Sequence, residues 1–304
     1  MKTILITTSS FGKADPRPLD QLRDAGFDVQ LNPFGRKLTE SEVLNLVEQH
    51  HPTGMIAGVE PLTQKVLTAA NQLKAISRCG IGLESVDCAT AKELGIKITN
   101  TPDGPTLAVA ELTVGMMLTL LRKIHFSDAA IRHGQWVRPM GSLLHGKTVG
   151  IVGCGRIGAA VAVRLKAFGC RMIGCDVIQK ESDHIQMMNA DQVFAESDII
   201  SLHMPGGKSN YHFMDGRRIN SMKKGAVLIN TARGDLVDEK ALGAALQSGH
   251  LSGAALDTFE SEPYEGPLSA LENVLLTAHI GSYAAEARVM MEAQAVENLL
   301  KALA

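Results

Sequence analysis

The sequence predicts an α/β protein built from two doubly wound parallel-sheet domains. Short apolar, β-branched runs alternate with helical patterns along all 304 residues, and repeated strand–helix units are typical of parallel sheets. A glycine-rich turn follows a strand at Gly153, near the middle of the chain, so about half of the chain belongs to another domain. Pro102 follows a strand and stops its hydrogen-bond ladder, which favours a domain boundary there.

Two series of strands are predicted, one in each half of the chain. The first comprises Ile4–Thr7, Asp28–Leu31, Met55–Ala57, Ala75–Arg78 and Lys97–Thr99. The second comprises Thr148–Val152, Arg171–Asp176, Ile199–His203, Ala226–Asn230, Gly253–Asp257 and Val274–Thr277. Each run is short, rich in Val, Ile and Leu, and bounded by polar residues or glycine, as expected for buried parallel strands.

Two helices help to divide the chain. The segment 106–122 is apolar on nearly every face, so we expect it to be buried between domains or against a second subunit. The last helix, 284–303, is expected to cross back and complete the first domain. The predicted division is 1–100 with 283–304 as the substrate domain and 101–282 as the nucleotide domain, with ligands in a cleft at the carboxyl ends of the strands.

The glycine-rich turn predicts a dinucleotide site. Gly153 allows the tight turn, Gly155 lets the backbone approach a pyrophosphate, and Gly158 lets the helix pack on the strand. The helix that follows presents N–H groups and a positive dipole end to the phosphates. Asp176 ends the next apolar run and would accept hydrogen bonds from the ribose hydroxyls while repelling a 2′-phosphate, so NAD is favoured over NADP.

The composition and charge of the chain argue against several other classes of protein. The net charge is −2 and no cluster of Lys and Arg is found, which argues against nucleic-acid or membrane partners. The N-terminal apolar run is too short for a signal peptide and no apolar span is judged to reach membrane length, so we expect a cytoplasmic protein. The five cysteines include no C-x-x-C pair, so neither a disulfide framework nor a metal site is expected.

Three residues with acid–base or anion-binding side chains follow strands of the nucleotide domain: Arg233, Glu262 and His279. Taken singly, they could be a surface charge at a helix start, a turn carboxylate before Pro263 and a satisfied core histidine. As an ordered set behind a nucleotide fold, they point to catalysis.

With these residues the chain resembles the D-2-hydroxyacid dehydrogenase family, nearest to its D-3-phosphoglycerate dehydrogenase-like branch without a C-terminal regulatory domain. The matching segments run through nearly the whole chain: Arg78–Gly82 with Val86–Asp87, Asn100–Pro102, Val109–Leu112, the glycine loop, Leu202–Pro205, Asn230–Gly234 and the segments of Glu262 and His279. The resemblance implies a Rossmann-type nucleotide domain, a flavodoxin-like substrate domain, and hydride exchange between NAD and C2 of a small acid.

Carried over by residue, the resemblance gives Arg233, Glu262 and His279 as the catalytic set. Reduction of a 2-keto acid needs a proton for the developing alkoxide, and a histidinium can supply it. An ionised Glu262 would favour the charged imidazole and fix its tautomer. Arg233 offers a planar fork to the substrate carboxylate.

The resemblance also implies contacts with cofactor and substrate. Cofactor contacts are expected from Gly153, Gly155, Arg156, Ile157, Gly158, Asp176, Met204, Pro205, Thr231, Asp257 and Gly281. Substrate contacts are expected from Arg78, Cys79, Gly80, Asn100 and Arg233. The alternatives are that Asp257 caps a turn, that the loop at Cys79 and Gly80 is only a strand-to-helix turn, and that Cys79 is a buried inert thiol instead of an oxidisable one.

Two positions depart from the family pattern. Phosphoglycerate-specific members carry an arginine in the loop after the third strand, where this chain has Glu60, which would oppose a phosphate unless it points away or forms another pair. Ala278 stands where proline usually precedes the histidine. The substrate is therefore expected among small 2-hydroxy acids of the 3-phosphoglycerate, glyoxylate or hydroxypyruvate type.

Two functions other than a D-2-hydroxyacid dehydrogenase are possible for this sequence. One is an NADH-sensing interaction protein of the corepressor type without turnover, and the other is a formate dehydrogenase-like enzyme, which would have glutamine where Glu262 stands. The apolar 106–122 helix makes a homodimer the expected assembly.

Overall fold

The computed structural model describes residues 2–178 and 182–304. The chain divides into two compact units. One comprises Met1–Pro105 with Ser282–Ala304, and the other comprises Thr106–Gly281.

The first unit contains a five-stranded sheet in which all strands are parallel, in the order β2-β1-β3-β4-β5. Its strands are β1 (Thr3–Ile6), β2 (Asp28–Leu31), β3 (Gly54–Ala57), β4 (Ala75–Arg78) and β5 (Lys97–Asn100). The helices between them are α1 (Arg17–Asp24), α2 (Glu40–His50), α3 (Gln64–Ala69) and α4 (Cys88–Glu93). The order reverses between β1 and β3, so the loops after these strands diverge at the carboxyl edge.

The second unit contains a seven-stranded parallel sheet in the order β12-β11-β10-β9-β6-β7-β8. Its strands are β6 (Thr148–Val152), β7 (Arg171–Cys175), β8 (Gln186–Met187), β9 (Ile199–Leu202), β10 (Ala226–Asn230), β11 (Leu251–Leu256) and β12 (Val274–Leu276). Its helices are α5 (Gly104–Leu121, which begins just before the unit boundary), α6 (Ile124–Arg132), α7 (Arg156–Lys166), α8 (Ala190–Glu196), α9 (Gly216–Ser221) and α10 (Glu239–Gln247). Short 3₁₀ turns lie at Gly234–Leu236 and Pro267–Ala270.

The last helix, α11 (Ala285–Leu303), belongs to the first unit. Its apolar side Met291, Ala295, Val296 and Leu299 is buried in one core cluster with residues of β1 and α1. The chain thus returns to the first sheet after completing the second.

The predicted fold class is confirmed, since both sheets are parallel throughout. Asp28–Leu31, Ala75–Arg78, Thr148–Val152 and Ala226–Asn230 are strands with the predicted ends, and the other predicted strands differ by one or two residues at an end. The sequence prediction omitted the edge strand β8, which has only two residues and pairs with β7 alone.

The long apolar helix α5 is a core element of the second unit. Ala110, Met116 and Met117 are at most 2% exposed and pack against strands of the seven-stranded sheet. Within the described residues α5 is the one helix long and apolar enough, with a mean hydropathy of 1.5, to cross a membrane by length and composition. The expectation that no span reaches that length is therefore wrong, but burial in the core gives the same apolar pattern.

Candidate active site

The glycine loop connects β6 to α7. Gly153 has φ +90°, and a Cβ there would lie 2.6 Å from the carbonyl group of His203. A Cβ on Gly158 would lie 2.2 Å from the Gly153 oxygen, whereas a Cβ on Gly155 would meet no atom within 4 Å. Packing therefore requires glycine at 153 and 158, and Gly155 leaves the approach to the helix open.

The N-terminus of α7 is suited to a pyrophosphate. Its N-cap is Gly155, which has no side chain that could cap the first turn, and the turn begins with Arg156 and Ile157. N–H groups of a first turn lack partners within the helix and, with the helix dipole, attract anions. The tight loop, the open approach at Gly155 and the glycine N-cap fit a dinucleotide.

Asp176 follows β7 and is held against the glycine loop. Its Oδ2 accepts from the Cys154 N–H at 2.7 Å and its Oδ1 accepts from the Ile178 N–H at 3.0 Å. A carboxylate oxygen has a second lone pair. The group can therefore still accept hydrogen bonds from ribose hydroxyls.

The segment after β9 contains a residue that the sequence interpretation did not single out. His203 is half-buried as a whole, but its Nδ1 is enclosed without a hydrogen-bond partner, and its Nε2 lies 2.8 Å from Ser201 Oγ. Burial lowers the pKa of His203 to about 3, so this imidazole is neutral in the folded protein. The next two residues, Met204 and Pro205, are half-buried and exposed, respectively.

Asp257 follows β11 and fixes the loop that carries His279. The residue is 1% exposed. Its Oδ1 accepts from Thr277 Oγ1 at 2.6 Å and from the Ile280 N–H at 2.8 Å, and its Oδ2 accepts from the Gly281 N–H at 2.7 Å. Burial raises the pKa of Asp257 although these three donors act in the opposite direction. Asp257 therefore caps the turn that carries His279, as its alternative interpretation predicted. Its contact with the cofactor stays a prediction.

His279 and Glu262 form a pair in this loop region. His279 Nδ1 lies 2.9 Å from Glu262 Oε2 and 3.1 Å from Oε1, and the two side chains are 39% and 30% exposed. An ionised carboxylate can only accept, so Nδ1 carries a proton and Nε2 is the nitrogen left for chemistry. His279 has φ +53°, an uncommon value for a residue with a side chain.

Arg233 lies in the turn after β10. Its Nη1 donates to the Ala232 oxygen at 2.7 Å, and the buried Asn230 donates through Nδ2 to the Arg233 oxygen at 2.7 Å. A Cβ on Gly234 would lie 1.8 Å from the Phe259 carbonyl carbon, so the two backbones are in close contact. This contact brings the arginine turn against the segment that carries Glu262.

Four of the five predicted substrate residues lie in the first unit, at the ends of β4 and β5. Arg78 Nη1 donates to the Cys79 oxygen at 2.8 Å, and Asn100 Nδ2 donates to the Ile81 oxygen at 2.7 Å. The N–H groups of Cys79 and Gly80 donate to the Ala57 oxygen at 2.8 Å and to Thr101 Oγ1 at 2.7 Å. A substrate carboxylate would therefore compete with Thr101 for the Gly80 N–H.

Two further groups of the first unit bear on the substrate. Cys79 is 3% exposed, and burial raises its pKa to about 11, as expected for an inert thiol. Glu60, 2% exposed, accepts from the Thr7 hydroxyl and from the Gly58 N–H at 2.8 Å. Glu60 is thus hydrogen-bonded within its own unit.

Comparison with known proteins agrees with this geometry. Residues 114–281 match the family described as D-isomer specific 2-hydroxyacid dehydrogenase, NAD binding domain. A glyoxylate reductase of Thermofilum pendens is 41% identical over 257 residues, which cover 80% of this chain and 76% of that protein. A hydroxypyruvate reductase of Thermotoga maritima is 39% identical over 281 residues, covering 90% and 92%.

A solved structure is similar over both units. The crystal structure of a protein from Thermus thermophilus superposes with a TM-score of 0.90 at 38% identity and covers 99% of this chain and 96% of that one. The family match extends over more than half of the chain, and the relatives are similar over most of their length. The chain therefore belongs to the D-isomer specific 2-hydroxyacid dehydrogenase family, whose members act on CH–OH groups with NAD.

Proposed function

We propose that the chain reduces small, unphosphorylated 2-keto acids of the glyoxylate or hydroxypyruvate type, with His279 as proton donor. The observation that carries this proposal is the His279–Glu262 pair at 2.9 Å, held in a loop that Asp257 fixes through three hydrogen bonds. NADH, when bound, supplies the hydride. His279 gives a proton from Nε2 to the carbonyl oxygen, Glu262 stabilises the imidazolium, and Arg233 binds the substrate carboxylate.

The cofactor contacts in this proposal come from the second unit. Gly153, Gly155, Gly158, Arg156 and Ile157 contact the pyrophosphate, and Asp176 contacts the ribose. The remaining contacts are those of Met204, Pro205, Thr231, Asp257 and Gly281. The open approach at Gly155 and its place as the N-cap of α7 support this assignment.

The substrate contacts are Arg78, Cys79, Gly80 and Asn100, together with Arg233. The preference for an unphosphorylated acid rests on the loop 57–63 after β3, which contains no cation that could pair with a phosphate. Its one charged residue, Glu60, is buried and hydrogen-bonded within its own unit. The printed names of the relatives, glyoxylate reductase and hydroxypyruvate reductase, agree with this substrate class. They give no support to the NADH-sensing alternative.

The test is turnover by the purified chain. Oxidation of NADH should be observed with glyoxylate or hydroxypyruvate and should be much slower with 3-phosphohydroxypyruvate, the keto acid that corresponds to 3-phosphoglycerate. Equal or faster turnover of the phosphorylated acid would overturn the substrate preference. Binding of NADH without turnover of any keto acid would overturn the enzymatic role.

We also propose a homodimer formed through the segment that follows α5. This segment, residues 124–143, exposes large apolar side chains: Ile124 52%, Ile131 54%, Trp136 84%, Met140 88% and Leu143 66%. Apolar patches of this kind mark protein–protein contacts, and we propose that the partner is a second copy of the same chain.

A cytoplasmic location without membrane or nucleic-acid partners is proposed from the net charge of −2 and the absence of basic clusters in the sequence.

A further inference from the structure

A buried pair of threonine hydroxyls connects α5 to the end of β10. Thr113 is 0% exposed and Thr231 is 6% exposed. Their Oγ1 atoms are 2.9 Å apart, and Thr113 Oγ1 also lies 2.7 Å from the carbonyl oxygen of Val109, one helical turn earlier. Both contacts are within the second unit.

The direction of these hydrogen bonds follows from the number of protons. A carbonyl oxygen can only accept, so the single proton of the Thr113 hydroxyl lies toward Val109. If that proton pointed to Thr231 instead, two oxygens with only lone pairs would face each other at 2.7 Å. The proton between the two threonines therefore belongs to Thr231, which donates to Thr113.

This direction leaves Thr231 with lone pairs and no further proton to offer. The residue lies at the carboxyl edge of the sheet, where β10 borders β11 and the Asp257 N–H donates to the Asn230 oxygen at 2.9 Å. Ligands of such sheets bind at this edge. A ligand group that meets Thr231 must therefore bring an N–H or O–H donor.

We propose that Thr113 is a positioning residue for the cofactor, which fixes the Thr231 hydroxyl as an acceptor for the carboxamide N–H of the nicotinamide. The inference rests on the proposed contact between Thr231 and the nicotinamide. Asp257, the other residue proposed there, is also an acceptor. The two acceptors follow neighbouring strands, β10 and β11, and together they would orient the amide nitrogen and so determine how the ring lies.

The experiment measures dissociation constants by calorimetry on the full chain with three ligands. NADH carries the carboxamide, the reduced 3-acetylpyridine analogue has a methyl ketone without an N–H, and ADP-ribose lacks the ring. Thr113→Val removes the acceptor of the Thr231 proton. This change should raise the dissociation constant of NADH about three- to tenfold, as expected for the loss of one hydrogen bond. The dissociation constants of the other two ligands should stay unchanged.

Three further variants make the result specific. Thr113→Ser keeps the hydroxyl and should restore NADH affinity. Thr231→Val should lose the same affinity for NADH and none for the other two ligands. The double variant Thr113→Val/Thr231→Val should lose little more NADH affinity than either single variant. Thr90→Val removes another buried threonine hydroxyl, in the first unit, and should leave all three ligands unchanged.

Several outcomes would overturn the inference. Equal weakening of all three ligands by Thr113→Val would show a purely structural role. Unchanged NADH affinity in Thr113→Val, with a selective loss in Thr231→Val, would show that the hydrogen-bond direction is unimportant. Unchanged NADH affinity in Thr231→Val would remove the residue from the nicotinamide, while keto-acid turnover by the wild-type chain would still test the proposed function separately.

Discussion

At the scale of single residues, the proposed chemistry depends on one imidazole nitrogen. Glu262 holds His279 through Nδ1, so the proton for the substrate must come from Nε2. His279→Ala should lower kcat about a hundredfold or more, since a positioned acid is lost. Steady-state NADH oxidation measures this, with ADP-ribose affinity as the control for an intact nucleotide site.

The backbone at His279 calls for a second variant. Its φ of +53° is strained for alanine but is accepted more readily by asparagine. His279→Asn should therefore show the same loss of kcat as His279→Ala. Turnover near the wild-type value in His279→Asn would exclude the acid role and assign the alanine effect to the backbone.

The Glu262 carboxylate is proposed to stabilise the imidazolium of His279. Because the amide of glutamine carries no charge, Glu262→Gln should lower the reductive kcat, as measured by steady-state NADH oxidation. Glu260→Gln is the matched control in the same loop, since Glu260 lies 2.5 Å from His212 Nε2 instead. A reductive kcat near the wild-type value in Glu262→Gln would contradict the proposed role of the pair.

At the scale of elements, the end of β9 places a neutral histidine in the interior. The pKa of His203 is lowered to about 3, so the unfolded chain binds a proton there that the folded chain does not. Its contribution to stability is present above the ordinary histidine pKa of about 6.5 and is lost as the pH falls toward 3, with a slope of about 1.4 kcal/mol per pH unit.

This slope can be measured by urea unfolding of the chain at several pH values. Between pH 6.5 and 3 the free energy of unfolding of His203→Gln should fall less steeply than that of the wild-type chain. The difference in slope should correspond to about one bound proton. His51→Asn is the control, because His51 is exposed and asparagine accepts its φ of +43°. A slope equal to wild type in His203→Gln would show that the folded and unfolded chains bind a proton at this imidazole alike, so that burial does not lower its pKa.

At the scale of the whole molecule, the proposed homodimer can be tested by sedimentation. Met140→Lys places a charge on a side chain that is 88% exposed and should shift the chain from dimer to monomer at micromolar concentration. Met290→Lys, on α11 and 50% exposed, changes a comparable side chain in the first unit and should leave the dimer intact. A monomeric wild-type chain would overturn the proposed assembly.

The sequence predicted most of the fold because buried parallel strands are uniform apolar runs, as at Ala226–Asn230, and because helices separate them. It missed β8, since two residues carry no pattern. The burial of α5 was expected between domains or against a second subunit. Its residues from Ala110 to Leu121 pack against strands of the seven-stranded sheet, a long-range contact that the apolar pattern alone does not indicate.

The candidate site was predictable where one residue type suggests one role. A glycine-rich turn after a strand suggests a pyrophosphate site, and Asp176 at the end of the next strand suggests a ribose contact. Arg233, Glu262 and His279, taken in this order, suggest catalysis. Thr113 was not singled out, because a threonine within an apolar helix has no distinguishing neighbour in the sequence. The N–H groups of Cys79 and Gly80 were expected to face a ligand, but only coordinates reveal their internal partners.

The single tryptophan of the chain, Trp136, is 84% exposed in the segment proposed for the dimer. All indole fluorescence of the protein therefore comes from this one position. A solvated indole emits at longer wavelength than one enclosed by apolar groups, so dilution through the dissociation range should move the emission to the red. The native chain thus carries its own spectroscopic reporter of assembly, and no dye has to be attached.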